Sequence, residues 1–360
     1  MKAIVLAGGT GTRLKPLTER VPKPLLPVAG RPCIDFVLRS LVSAGVKEII
    51  VATSYMSDRV MKRIGDGMEY DASILYSFEA TPAGTAGAVK RVADFIKDTF
   101  VVASGDVLAD VDIRELYEYH NHVGAMATMA LTMVEEPTEF GIVGLDDNYR
   151  IVRFQEKPSP QEVFSNLVNA GIYILEPEVL DFIPEGETFD FSKDVFPLLL
   201  ERGAQVHGVE LKGLWMDIGR PRDLWRASME VIKRTGKRAT IEGIECRGLV
   251  VISPDAVLED GVEIEGPSYI GGAATLSRGS KVHRSCIYDN VYLDRDSTVE
   301  DSIVMEESRV GWRSVILDTI ISASCTIEED VRLISSVIGD EMKVRAHSRL
   351  EGASVAPPTD

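Results

Sequence analysis

Between residues 252 and 350, aliphatic side chains recur at a spacing that neither a helix nor an alternating strand produces. Ile252, Leu258, Ile264, Ile270, Leu276 and Val282 stand six residues apart. After a slip of one, Ile287, Leu293 and Val299 resume the step. Val304, Val310 and Ile316 follow, then Ile321, Ile327 and Leu333, then Ile338, Val344 and Leu350. From Ile270 each triplet restarts every 17 residues, at 270, 287, 304, 321 and 338. A helix repeats near 3.6 residues and a half-buried strand at 2. A coil with three short faces, each turning one aliphatic side chain inward, gives the observed period. Such coils cannot bury a core singly, but stacked they form a continuous ladder with no large loops. Eighteen positions on one lattice are too many for chance spacing in a Val/Ile-rich stretch.

The chain before this lattice follows other rules. Short aliphatic runs at KAIVLA (2–7), KEIIVAT (47–53), SILYSF (73–78) and 99–104 alternate with helical patterns at 33–45, 57–67 and 84–96. Strand, helix, strand in this order predicts a parallel sheet covered by helices. The middle is richer in strands (GAMATMALTMV, FGIVGL, IVRFQE, NAGIYIL), which predicts mixed strand directions. A chain of 360 residues is long for one domain, so two are expected. The boundaries read as 1–235, a charged and glycine-rich junction at 236–251, and 252–360.

The first strand runs into GGTGTRLKPLTERVPKPL, residues 8–25. Arg13, Lys15, Arg20, Lys23 and Arg31 face a single acid, Glu19, in a chain of formal net charge -17. A glycine-rich loop after a strand lets backbone N–H groups approach phosphate oxygens. It is not a Walker A loop, because Arg13 stands where that motif needs its second glycine. It is not a dinucleotide fingerprint either, because Leu14 takes the third glycine position and prolines 16, 22 and 24 forbid a helix there. The overall acidity speaks against nucleic acid or an anionic membrane as partner. The apolar run Ala3–Ala7 is too short for a signal-peptide core, and no run approaches a bilayer span. Cys33, Cys246, Cys286 and Cys325 are far apart, which fits a reducing cytoplasm. His120 and His122 read as exposed residues at a helix end.

The segment LAGGTGTRLKPLT…PKPLLPVAGRP resembles the N-terminal signature of the sugar-1-phosphate nucleotidyltransferases. EATPAGTAGAV (79–89), SGDV (104–107), FGIV (140–143), FQEKP (154–158), NAGIY (169–173) and WMDIGRPRD (215–223) continue the resemblance in the family's order. The six-residue lattice resembles the left-handed parallel β-helix of hexapeptide-repeat proteins. The fold class so implied is α/β, a Rossmann-like mixed sheet followed by a left-handed parallel β-helix. The implied reaction is in-line attack of a sugar 1-phosphate on the α-phosphorus of an NTP, giving NDP-sugar and pyrophosphate.

The resemblance places Leu6, Ala7, Gly8, Gly9, Gly11, Thr12 and Arg13 on the nucleotide, with Lys23 near the reacting phosphates. Glu79, Pro82, Gly84 and Thr85 would take the base end. Asp106 and Asp217 would hold Mg2+. Gly141, Glu156, Lys157 and Asn169 would bind the sugar phosphate. GTAGA is similar to the mannose-1-phosphate guanylyltransferase branch, and a carboxylate at Glu79 suits the two adjacent donors of guanine. GTP and mannose 1-phosphate are therefore favoured over thymidylyl or uridylyl transfer to glucose 1-phosphate. A regulatory subunit that keeps the fold without catalysis is a further alternative, opposed by Arg13, Lys23, Asp106 and Asp217. The solenoid is expected to serve stability and homo-oligomer assembly.

Overall fold

The computed structural model describes residues 1–357; the last three residues of the expected C-terminal span lie outside the described residues. The chain forms two compact units, one of Met1–Thr10 with Cys33–Asp217 and one of Gly11–Pro32 with Ile218–Asp360.

The first unit is built on a nine-stranded sheet. Its main path runs Ile151–Glu156, Gly141–Leu145, Leu167–Leu175, Phe100–Ser104, Lys2–Leu6, Glu48–Thr53 and Ser73–Phe78. Lys2–Leu6 is parallel to both of its neighbours, and Glu48–Thr53 is parallel to Ser73–Phe78. Leu167–Leu175 is antiparallel to Phe100–Ser104 and to Ala127–Met133, so the expected mixture of directions is present. Ala3, Ile4 and Val5 have no exposed surface, because a central strand covered on both faces needs an unbroken apolar run. From Lys2–Leu6 the chain first lays strands to one side and then returns to the other. The carboxyl ends of these strands thus flank a topological switch point, where open α/β sheets bind ligands. The helix expected over 84–96 stops at Lys90 and is followed by a short turn at Ala93–Phe95.

In the second unit, helix Pro221–Thr235 leads into the coils. Pro221 opens it, and the Asp223 carboxylate accepts the Arg220 backbone N–H at 2.8 Å. The coils form three parallel sheets of seven, seven and six strands. The ladders match the sequence lattice, with Ile270, Ile287, Val304, Ile321 and Ile338 in successive registers. Leu276, Leu293, Val310, Ile327 and Val344 form the second ladder. This is a left-handed parallel β-helix with an aliphatic interior. A second, polar ladder accompanies it. Buried Ser268, Ser285, Ser302, Thr319 and Ser336 each accept a backbone N–H from the next coil at 3.0–3.2 Å. Every such hydroxyl satisfies a donor at a corner where the sheet ladder is interrupted.

Candidate active site

Four strands of the first unit deliver their carboxyl ends to one cleft of about 240 Å³. Leu6 and Ser104 end their strands there, and Ser54 and Glu79 each follow a strand by one residue. Gly8, Gly9, Pro82, Gly84, Thr85 and Asp106 complete most of the wall. The Ser54 hydroxyl donates to the Gly8 carbonyl at 2.9 Å, which ties the glycine turn to the neighbouring strand. Gly84 has φ +76 and is backed by the chain at Phe189; a Cβ there would stand 2.5 Å from the Phe189 carbonyl oxygen. Only glycine fits. Ala7 is buried beneath the cleft, its N–H bonded to the Ala52 carbonyl at 2.8 Å.

Glu79 is the cleft's unusual group. It is 7% exposed, and its Oε1 has no hydrogen-bond partner. Arg91 Nε lies 3.9 Å from that oxygen. Burial pushes the Glu79 pKa up, with Arg91 only partly opposing it. Glu79 lines the cleft with one carboxylate oxygen unpartnered, which makes it a candidate acceptor for a ligand's donors.

Of the two aspartates expected to bind metal, Asp217 ends a strand and Asp106 lies in the turn just before the strand it pairs with. Gly213–Asp217 pairs antiparallel with Val107–Val111, and Asp217 stands opposite Val107, the residue after Asp106. Asp106 faces the glycine turn: a Cβ on Gly9 would meet nothing nearer than its Oδ2, at 3.8 Å. Asp106 lines the cleft, and hard carboxylate oxygens such as those of Asp106 and Asp217 suit Mg2+, which takes one or two protein carboxylates and completes its shell with phosphate and water.

A second cluster adjoins Ser104. Asn169 accepts the Gly171 N–H at 2.8 Å and donates to Tyr173 Oη at 2.9 Å and Ser192 Oγ at 3.1 Å. A Cβ on Gly171 would lie 2.7 Å from Ser104 Oγ, which joins this cluster to the cleft wall. Gly141 leaves room for Glu156, whose Oε2 would lie 2.7 Å from a Cβ there. Burial raises the Glu156 pKa, while Lys157 and then Lys193 lower it. Lys157 itself is exposed.

The remaining predicted residues belong to the second unit. Thr12 and Arg13 lie on the turn Thr12–Leu14, and Lys23 opens the turn Lys23–Leu25. Gly11 and Lys23 are close, since a Cβ on Gly11 would lie 3.1 Å from Lys23 Cβ. Lys23 is 7% exposed, buried for a lysine.

A model of the nucleotidyl transferase family matches residues 2–234, and one of the GMPPB C-terminal domain matches residues 246–359. The chain belongs to the sugar-1-phosphate nucleotidyltransferases. Among curated relatives, the UTP–glucose-1-phosphate uridylyltransferase of Synechocystis is 36% identical over 89% of this chain and 87% of its own. The mannose-1-phosphate guanylyltransferase of Mycobacterium tuberculosis is 33% identical over 83% of this chain and 82% of its own. Among solved structures, HddC from Yersinia pseudotuberculosis complexed with GMP-PN is similar with a TM-score of 0.55 and 25% identity, over 64% of this chain and 99% of that one.

The cleft of this nucleotidyltransferase also has lining residues that the sequence does not point to. Ser54, Ala88 and Asp190 line the cleft. Asp190 Oδ1 accepts the Thr85 N–H at 3.2 Å and its hydroxyl at 3.1 Å, and the Thr85 hydroxyl accepts the Phe191 N–H at 2.9 Å. No spacing in the sequence joins positions 85 and 190. His120 is a correction: it is 1% exposed and bonded to Thr128 Oγ1 at 2.8 Å and Glu176 Oε1 at 2.9 Å, whereas His122 is exposed as expected.

The isolation of Glu79 has a stability consequence. A raised folded pKa means that ionisation opposes folding, so the penalty grows as pH rises through that pKa. Glu79→Met removes the buried acceptor without a large change in volume. It is expected to raise the unfolding midpoint by roughly 2–4 °C at pH 7. That gain should shrink as pH falls and the wild-type carboxyl protonates. Differential scanning calorimetry across pH 5–8 checks it; a lowered midpoint at pH 7 contradicts the account.

Proposed function

We propose that the protein is a mannose-1-phosphate guanylyltransferase. The observation that carries this reading is the buried Glu79 carboxylate on the cleft wall, with Oε1 unpartnered. Guanine presents N1–H and an exocyclic amine side by side, which a carboxylate can accept together, whereas uracil and thymine present one N–H. The M. tuberculosis relative and the GMP-PN complex of HddC support the same base.

In the proposed reaction a phosphate oxygen of mannose 1-phosphate attacks the α-phosphorus of GTP. The bond to the bridging oxygen of pyrophosphate breaks as the new P–O bond forms, giving GDP-mannose. The nucleophile is already anionic, so no general base is required. Positioning and charge neutralisation do the work. Backbone N–H groups of Gly8, Gly9 and Gly11 with Arg13 hold the triphosphate, and Lys23 stands by the reacting phosphates. Enzymes of this family generally use a divalent metal, and here Asp106 and Asp217 would hold Mg2+, which supplies positive charge to the phosphate oxygens. Glu156, Asn169 and the Gly141 backbone receive the sugar hydroxyls, and Lys157 neutralises the sugar phosphate. The protein works in the cytoplasm, where its four free cysteines stay reduced, as a homo-oligomer joined through the β-helix.

Pyrophosphate release measured with each NTP against mannose and glucose 1-phosphates tests the reading. GTP should exceed ITP, which lacks the 2-amino group, by roughly tenfold to a hundredfold in kcat/KM, the effect of one hydrogen bond to a charged acceptor. Glu79→Gln should narrow that gap. The Synechocystis relative favours a second reading, uridylyl transfer to glucose 1-phosphate. A clear preference for UTP or dTTP would establish it or its thymidylyl counterpart instead.

A further inference from the structure

The signature segment Gly11–Pro32 has little structure of its own. It contains two three-residue turns and a hairpin of two-residue strands, Pro27–Val28 with Arg31–Pro32. Segments this short do not hold a fixed shape alone. What holds it is the remainder of the second unit. Tyr288, 4% exposed, donates its hydroxyl to the Pro27 carbonyl at 2.8 Å. Ser228, on helix Pro221–Thr235, accepts the Ala29 N–H at 3.3 Å. Ala29 and Gly30 form the hairpin turn at φ 45 and 85, the left-handed pair of a type I′ turn. Gly30 lies so close to the ring of Tyr269 that a Cβ would stand 2.3 Å from its hydroxyl oxygen. At the other end of the segment Arg20 pairs with Glu341, and Pro16 packs at Gly339.

Two of these anchor points, Tyr288 and Gly339, fall on one row of the β-helix. Tyr288, Met305, Ser322 and Gly339 occupy the same place in four successive coils, 17 residues apart. Each follows an inward ladder residue, so its side chain belongs to the outer face. Yet all four are buried. Their size falls steadily from tyrosine to glycine, and the segment touches both ends of the row. Three steps between coils span about 14 Å. Lys23, flanked by Pro22 and Pro24, lies in the chain between the two sets of anchors.

We infer that the β-helix sets the geometry of the phosphate-binding segment, with Tyr288 as a positioning residue that acts through the Pro27 hairpin on Lys23 and Gly11. The inference rests on the reading that Arg13 and Lys23 act on the triphosphate. It gives the solenoid a role in turnover beyond stability and assembly. A displacement of about 1 Å at a reacting group costs up to 10²-fold in rate, so loss of one anchor is visible in kinetics before it is visible in folding.

The test uses the full-length enzyme and the NTP and sugar 1-phosphate pair that gives the highest turnover. Tyr288→Phe keeps the ring and removes only the donor. Its kcat should fall roughly tenfold and its NTP KM rise several-fold, with the sugar 1-phosphate KM within about twofold. Ser228→Ala, a milder change on the same hairpin, should move the same parameters in the same direction. Ile327→Val, in the ladder and away from the segment, should lower the unfolding midpoint without moving kcat. Wild-type kcat and NTP KM in both anchor variants would overturn the inference. So would an equal kinetic loss in Ile327→Val. Lys23→Ala separates the two levels. If Lys23→Ala is inactive and the anchor variants are normal, only the positioning role fails. If Lys23→Ala is fully active, the reading of the segment fails and the inference with it.

Discussion

Asp106→Asn and Asp217→Asn are each expected to slow turnover by roughly 10²-fold or more, the scale for removing one electrostatic contact to a transition state. Each change keeps the side-chain volume and removes one negative charge from the carboxylate pair. Asp106 is half-buried on the cleft wall, and Asp217 is half-buried at the end of the ribbon Gly213–Asp217. Neither belongs to the apolar core, so the unfolding midpoint should stay within about 2–3 °C. The chemical reason for the size of the loss is the substrate. An anionic nucleophile must approach a triphosphate, and neutralisation of phosphate charge is most of what such a site contributes. Affinity for a divalent cation should fall together with kcat, which is read by titrating Mn2+ into each variant and following its paramagnetic signal. Near-wild-type turnover at saturating Mg2+ in either variant would defeat the metal assignment.

Legibility in the sequence followed the range of each interaction. The aliphatic ladder was readable because every coil repeats the same local requirement, an inward side chain every six residues. The polar ladder of Ser268, Ser285, Ser302, Thr319 and Ser336 has the same 17-residue period, but small hydroxyl residues are common at exposed positions too, so their period carries no burial signal of its own. The strand ends that carry Gly8, Glu79 and Asp106 were readable because turn residues directly follow aliphatic runs. Asp190 was not, since its contact with Thr85 joins residues 105 apart. The same holds for Tyr288 and Pro27, 261 apart. His120 was misjudged because position near a helix end says nothing about which face packs against Thr128 and Glu176. The helix is amphipathic, and His120 lies one turn beyond Leu116 on its buried face.

Leu293→Asp is expected to abolish the cooperative unfolding of the β-helix at 25 °C. Leu293 has no exposed surface and stands in the ladder between Leu276 and Val310. Truncation to alanine there would already cost about 2–5 kcal/mol in lost burial and cavity. A carboxylate adds the desolvation of an unpaired charge, several kcal/mol more even if the group protonates. Coils contact only their neighbours, so failure of a central coil removes two interfaces at once and splits the stack. Leu350→Asp provides the contrast. Leu350 is half-buried in the last full turn of the same lattice, and a charge there can reach water, so its cost should stay near 1 kcal/mol or below. Urea unfolding followed by circular dichroism distinguishes the two, and a Leu293→Asp protein melting within a few degrees of wild type would contradict the ladder energetics. Tyr269, Tyr288 and Glu341 hold the phosphate-binding segment on coils either side of this break. Leu293→Asp should therefore lose turnover even though it lies in no predicted substrate site, whereas Leu350→Asp should retain it.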